Sequence, residues 1–136
     1  MFNRLSIHAP LMLAVLRIVA ALLFIEHGTQ KLFGFPAGDH PMPAAGSLPW
    51  VAGVLEAGLG LLILLGLFTR AAAFLAAGEM AVAYWFFHAP QGLYPANNGG
   101  DAAVLFCFIF LYLVFAGPGS PSLDAARRTR RGLGPG

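Results

Sequence analysis

Four long apolar runs, at residues 11–33, 48–68, 71–88 and 101–116, leave little of this sequence for anything else. A helix that crosses the hydrocarbon core of a bilayer needs about 20 mostly apolar residues. Only 10% of the residues are charged and 58% are hydrophobic, whereas soluble domains carry about 25% charged residues. The sequence therefore predicts an all-α integral membrane four-helix bundle, folded as a single transmembrane domain over residues 1–136 with the four runs as its spans.

Positive charge falls on one side of this predicted layout. An even number of spans puts both termini on the same side, where Arg4, Arg70 and four tail arginines also lie. The tail arginines are Arg127, Arg128, Arg130 and Arg131. Because cytoplasmic flanks of spans are enriched in Lys and Arg, both termini are predicted to be cytoplasmic, in the inner membrane of a bacterium.

The arginine-rich end of the chain is predicted to be a cytoplasmic basic tail over residues 119–136. We interpret it as a disordered segment that fixes topology and lies near anionic lipid headgroups. It is short, contains Gly and Pro, and has no folded module behind it, so nucleic acid is excluded as a partner.

Two charged residues lie at matching depth in different predicted spans. At a helical rise of about 1.5 Å per residue, Arg17 is roughly 10 Å and Glu79 roughly 12 Å from the cytoplasmic ends of their spans. A charge inside the membrane is costly unless it has a partner or water. The sequence therefore predicts a structural ion pair between Arg17 and Glu79.

A second polar cluster is predicted in the outer half of the membrane. Glu56 lies in the second run on a face with Gly53 and Gly60, whose small size lets a neighbouring helix approach closely. His27 and Lys31, near the end of the first run, lie beyond it, whereas Glu26 points away from their face. Either these residues form a binding site, or they are packing contacts that hold the helices in register.

Aromatic residues are concentrated at the same depth, with Trp50 at the start of the second span and Trp85 late in the third. Trp and Tyr are common in the interfacial belts of membrane proteins. The alternative is a flat apolar slot beside the polar cluster, suited to a quinone headgroup. On this alternative the predicted ligand-binding residues are His27, Lys31, Glu56, Trp50 and Trp85.

Other cofactors receive less support from the residues. His27 and His88 are predicted at one depth on different helices, as a haem with two histidine ligands requires, but a place in the interfacial belt explains both, so haem is disfavoured. Cys107 is the single cysteine, so the chain has no dithiol chemistry of its own. No metal site and no covalently bound cofactor are predicted.

The ordered set of short motifs resembles the DoxX family of small bacterial membrane proteins. The motifs are Leu16-Arg17-Ile18, residues 27–35 (HGTQKLFGF), residues 56–60 (EAGLG), residues 64–70 (LLGLFTR), Met80, residues 98–101 (NGGD), residues 117–119 (GPG) and Ser122-Leu123-Asp124. The resemblance implies a four-helix membrane bundle with Arg17, Gly28, Lys31 and Glu56 as signature positions. Some members look like subunits of quinone-reducing, thiosulfate-oxidising systems, and others accompany redox-stress or metal-related proteins.

The leading functional hypothesis is an accessory or quinone-interacting subunit of an inner-membrane oxidoreductase system, which binds a lipid-soluble ligand between its helices. The chain itself contains no complete catalytic constellation. One alternative is a non-catalytic subunit that anchors a larger membrane complex, and another is a small proton-coupled transporter that uses the buried charges as a relay. The predicted partners are the lipid bilayer and either further copies of the chain or a larger membrane complex.

Overall fold

The computed structural model describes residues 2–132, and within this range the chain is helical with no strand. A 3₁₀ turn at Phe2–His8 leads into the first α-helix. The α-helices are α1 (Ala9–Phe33), α2 (Leu48–Leu65), α3 (Thr69–Ala83), α4 (Pro95–Asn98), α5 (Asp101–Ala116) and α6 (Leu123–Arg130). The all-α prediction is thus confirmed for the described part of the chain.

Three helical stretches in residues 2–132 are long and apolar enough to cross a membrane. They are Arg4–Phe33, Leu48–Leu65 and Thr69–Gln91, with 30, 18 and 23 residues. Helix α5 is equally apolar but has 16 residues, about 24 Å at the rise of an α-helix. Because the hydrocarbon core is about 30 Å thick, its crossing of the bilayer as a fourth span stays a prediction.

Glycine and aromatic residues set the boundaries where the helices differ from the predicted runs. Helix α2 ends at Leu65 because Gly66 adopts a left-handed conformation, φ 66°, and closes the helix. The third run continues past Ala83, but Tyr84–His88 forms a turn of π-helix instead of α-helix. The helical segment therefore keeps its length while the side chains of its last turn change direction.

The four longest helices pack in a ring, with close pairing of α1 with α2 and of α3 with α5, and with α2 against α3 and α1 against α5. The shared core contains Phe24, Ile63, Phe110 and Leu113, all fully buried. We call the end of the bundle that holds the start of α1, the α2–α3 turn and α6 the terminal end. The opposite end, which holds the end of α1 and residues 84–100, is the loop end.

Glycines bring α1 and α2 into backbone contact. A Cβ atom placed on Gly28 would lie 2.7 Å from the backbone nitrogen of Ala57 and 2.8 Å from the oxygen of Gly53. One placed on Gly60 would lie 2.6 Å from Cγ1 of Ile25. The small-residue face of α2 therefore receives α1 of the same chain.

The predicted ion pair between Arg17 and Glu79 is wrong. Arg17 is 1% exposed, and its guanidinium group donates to four backbone oxygens at the terminal end. These are the oxygens of Ile63 (2.6 Å), Leu64 (2.5 Å), Pro118 (2.8 Å) and Pro121 (2.7 Å). The last carbonyls of a helix have no partner within it and attract a cation, so the side chain extends to the end of α2 and not across to α3.

The basic tail was expected to be disordered, but the structure folds residues 123–130 as α6 and fastens it to the bundle. Ser122 Oγ caps α6 by accepting from the nitrogen of Ala125 at 3.1 Å. The carboxylate of Asp124 accepts from the nitrogens of Phe68 (3.0 Å) and Thr69 (2.9 Å). These bonds cap α3 and hold Phe68 at φ 49°, a conformation uncommon for a residue with a side chain.

We predict that Gly28→Ala lowers the free energy of unfolding by about 1–3 kcal/mol, because the added methyl group forces the backbones of α1 and α2 apart. The measurement is reversible unfolding in mixed detergent micelles. Gly58→Ala is the matched control, since a Cβ at Gly58 meets nothing within 4 Å. Equal stability of the two variants would show that α1 and α2 are not closely packed at Gly28.

We also predict that Arg17→Lys destabilises the fold by roughly 3 kcal/mol, because one ammonium nitrogen cannot reach four carbonyl oxygens on two segments. The thermal unfolding midpoint in mild detergent measures the effect. Arg130→Lys, a change at an exposed position of α6, is the control. A midpoint for Arg17→Lys that matches the control would contradict the role given to Arg17.

Candidate functional site

An ion pair between α1 and α2 lies toward the loop end of the bundle. Nζ of Lys31 is 2.5 Å from Oε1 of Glu56. The Glu56 side chain is 2% exposed, whereas that of Lys31 is 32% exposed. Lys31 comes this close because Gly53 has no side chain: a Cβ there would lie 2.9 Å from Cβ of Lys31. The close contact of α1 and α2 at these glycines therefore places the ammonium group of Lys31 over the carboxylate of Glu56.

A cavity of about 280 Å³ lies beside this ion pair. Its polar lining consists of Lys31, Glu56, His27 and His88, and its apolar lining includes Met80 and Phe106. His27 is exposed and Glu56 is buried, so the cavity has an open rim and a charged floor. Oε2 of Glu56 is buried and has no hydrogen-bond partner, which leaves one acceptor at the site unused.

The two histidines are held by different means. Nδ1 of His88 is 3.1 Å from the backbone oxygen of Asn98, and its ring stacks on that of Tyr84 with centroids 6.5 Å apart. The ring of His27 packs edge-on against Phe106 at 5.7 Å. Since His88 closes the π-helical turn, this turn positions its ring toward the cavity, and π-helical turns are frequent at functional sites.

Asn98 organises the loop that contributes Gly99 to the lining of the cavity, a role that was not predicted from the sequence. It is 4% exposed, its Nδ2 donates to the oxygen of Gly92 at 2.9 Å, and its Oδ1 accepts from the nitrogen of Gly100 at 2.8 Å. Gly99 between them has φ 70°. The sequence Asn-Gly-Gly at residues 98–100 could have predicted this turn, because Asn and Gly are common in tight turns.

Glu79 lies on α3, one residue before the cavity residue Met80. Both of its carboxylate oxygens are buried and neither has a hydrogen-bond partner. It is close enough to Glu56 and Lys31 to interact electrostatically with both. Two carboxyl groups, those of Glu56 and Glu79, therefore interact with one lysine, Lys31.

The structure brings together three of the five residues predicted to bind a ligand: His27, Lys31 and Glu56. Trp50 and Trp85 do not line the cavity. Trp85 is 69% exposed, as is typical of a residue in an interfacial belt. Small residues of α5 and the Gly99 turn form the walls that the tryptophans were expected to supply.

The sequence that forms these helices matches a known protein family. Residues 12–89, which include α2 and α3 and most of α1, match the sequence profile of DoxX. The chain belongs to the DoxX family. The resemblance seen in the motifs is thereby confirmed, and the matched residues include Arg17, Gly28, Lys31, Glu56 and Glu79.

Relatives of this DoxX-family chain match along most of its length. An uncharacterised protein of Haemophilus influenzae is 46% identical over 127 residues, which cover 90% of this chain and 95% of the relative. The inner membrane proteins YqjF and YphA of Escherichia coli are 33% and 32% identical, covering 81% and 85% of this chain and 87% and 89% of their own lengths. No solved structure gives a significant match. With its apolar helices, the chain is a multi-pass inner membrane protein.

Proposed function

We propose that the loop-end cavity binds the head of a lipid-soluble quinone and that the chain serves as a quinone-interacting subunit of an inner-membrane oxidoreductase system. The observation that carries this proposal is the pairing of Lys31 and Glu56 at the floor of an otherwise largely apolar cavity. A quinone head has the same character, an apolar ring with polar oxygens at its edge. Lys31 and the histidines supply hydrogen-bond donors for those oxygens.

The size of the cavity favours one substituted ring. Pockets that enclose drug-sized molecules measure about 300–1,000 Å³, and this cavity, at about 280 Å³, is slightly smaller. A single ring fits with its isoprenoid tail outside in the lipid. A haem, the alternative suggested by His27 and His88, is larger than a drug-sized molecule, so the cavity favours the quinone.

The unused acceptor of Glu56 fits the reduced form of the same ligand. A quinol carries hydroxyl groups where the quinone carries carbonyl oxygens, and Oε2 of Glu56 is a buried acceptor with no partner. A buried acceptor without a hydrogen bond is costly, so a ligand hydroxyl group there stabilises the site. Lys31 would hold a carbonyl oxygen of the quinone and Glu56 a hydroxyl group of the quinol, and the two electrons and two protons of the reduction would come from another, catalytic subunit of the oxidoreductase system.

We predict that Ala83→Leu weakens quinone binding at least about tenfold, or about 1.4 kcal/mol, because the larger side chain fills the cavity and leaves all charges in place. Binding of decylubiquinone and of menadione to the purified protein is measured by tryptophan fluorescence quenching in mild detergent. Val82→Leu, at a half-exposed neighbouring position, should bind like the unaltered protein.

Native mass spectrometry of the unaltered protein provides an independent measurement. It should show a retained quinone that Ala83→Leu loses and Val82→Leu keeps. No binding of either quinone by the unaltered protein, or equal binding by the two variants, would overturn the proposal. Retention of a partner chain without any quinone would favour the anchoring subunit.

A proton-coupled carrier is a second candidate, and the position of Glu79 favours it. A carboxylate that is buried at membrane depth without a hydrogen bond is costly, and such residues often belong to proton relays. Glu79 lies near a second carboxyl group, that of Glu56, and near Lys31. We infer that these three residues would form the proton path of a carrier.

For this carrier, we predict that the double change Glu56→Gln and Glu79→Gln abolishes proton-driven uptake into proteoliposomes, followed with a pH-sensitive dye trapped inside. Glu26→Gln is the control, because Glu26 is exposed and lies outside the cavity. Proton movement that survives the double change would exclude the carrier and leave the quinone proposal intact.

A further inference from the structure

A second and larger hollow lies at the terminal end, where the sequence predicts only a disordered tail. It is an open groove of about 1,150 Å³, bounded by the start of α1, the start of α3, the end of α5 and the folded-back helix α6. We call it the terminal groove. It lies at the opposite end of the bundle from the quinone site and shares no lining residue with it.

The terminal groove is lined by arginines and by almost no negative charge. Arg70, Arg127, Arg128 and Arg131 line it, and Asp124 is the one acidic residue among its described lining. Both carboxylate oxygens of Asp124 already accept backbone N–H groups of the α3 cap. The groove therefore presents a surplus of cations to any molecule that enters it.

The fold holds two of these arginines, Arg70 and Arg127, in place. Nη1 of Arg70 donates to the last carbonyl groups of α5, those of Val114 (2.6 Å) and Phe115 (2.7 Å). The guanidinium group of Arg127 lies over the ring of Phe68, 5.0 Å from its centroid. Asp124 fastens α6 to the α2–α3 turn, since its nitrogen donates to the oxygen of Gly66 at 2.8 Å. A site whose charges are fixed in advance pays less ordering entropy when it binds.

The apolar walls indicate which kind of anion fits. Pro10, Leu13 and Tyr112 belong to the apolar helices α1 and α5 and line the same groove as the arginines. A groove with cations at one side and span residues at the other matches a molecule with a phosphate head and acyl chains. Basic pockets between membrane helices on the cytoplasmic side bind such lipids.

We propose that the terminal groove binds the phosphate head of an anionic phospholipid, with the upper part of its acyl chains against α1 and α5. The distribution of charge supports this end as the cytoplasmic one. Of the eight basic residues, Lys31 is the exception, and all seven arginines lie toward the terminal end. Under the positive-inside rule this end faces the cytoplasm, whose leaflet surface is negatively charged. The bound lipid would hold α6 against the bundle.

The experiment compares two double variants of the full chain that remove the same charge from the same end. One is Arg127→Gln with Arg131→Gln, inside the groove, and the other is Arg4→Gln with Arg130→Gln, outside it. Native mass spectrometry in mild detergent measures retention of added phosphatidylglycerol, cardiolipin and phosphatidylcholine. Thermal unfolding without lipid checks that both variants are folded.

The groove variant should retain the two anionic lipids roughly 25-fold less well, at about fivefold per arginine, while the outer variant changes by less than about twofold. Equal losses in the two variants would overturn the site and indicate attraction to a diffuse surface charge. Equal retention of phosphatidylcholine by the unaltered protein would also overturn it. Displacement of the lipids by millimolar inorganic phosphate would show that the groove takes free phosphate, which contradicts a lipid site.

Discussion

The bonds of Arg17 to backbone carbonyl groups are the interaction on which the bundle depends. A guanidinium group in the membrane must find partners inside the protein, and here one side chain joins the end of α2 to the segment after α5. It satisfies carbonyl oxygens that lipid cannot reach. Because α2 and α5 belong to opposite helix pairs, this residue closes the ring of helices at the terminal end.

The loop end is organised by the absence of side chains. Gly28 and Gly53 let α1 and α2 meet at their backbones, and this contact places Lys31 directly over Glu56. A larger residue at either glycine would separate the helices and the charges together. The cavity therefore exists because α1 and α2 are in close contact on one side of it. On the opposite side α3 and α5 leave room, because small residues such as Ala83 and Ala103 line the cavity there.

The two ends of the bundle differ in charge and in shape, and we assign them different roles. At the loop end, acidic groups and one lysine lie at a cavity with an open rim that is large enough for a small ring. At the terminal end, arginines surround an open groove beside the apolar helices. On our proposals, the first end handles a redox ligand, and the second end fastens the bundle to the charged surface of the membrane. Between them lies a hydrophobic core that is rich in phenylalanine and alanine side chains.

The sequence by itself determined the helical class, three of the four predicted spans as helices long and apolar enough to cross a membrane, and the polar residues that line the loop-end cavity. Long apolar runs and rare charges admit few folds in lipid, so His27, Lys31 and Glu56 could be selected from their type and depth alone. The sequence could not determine which groups these side chains contact. Arg17 and Glu79 have matching depth along their helices, but the long side chain of Arg17 instead reaches backbone oxygens at the end of α2. Only the tertiary structure decided that Trp85 faces outward, that Asn98 orders the loop beside the cavity and that the basic tail folds as α6, because each depends on contacts that the sequence does not specify.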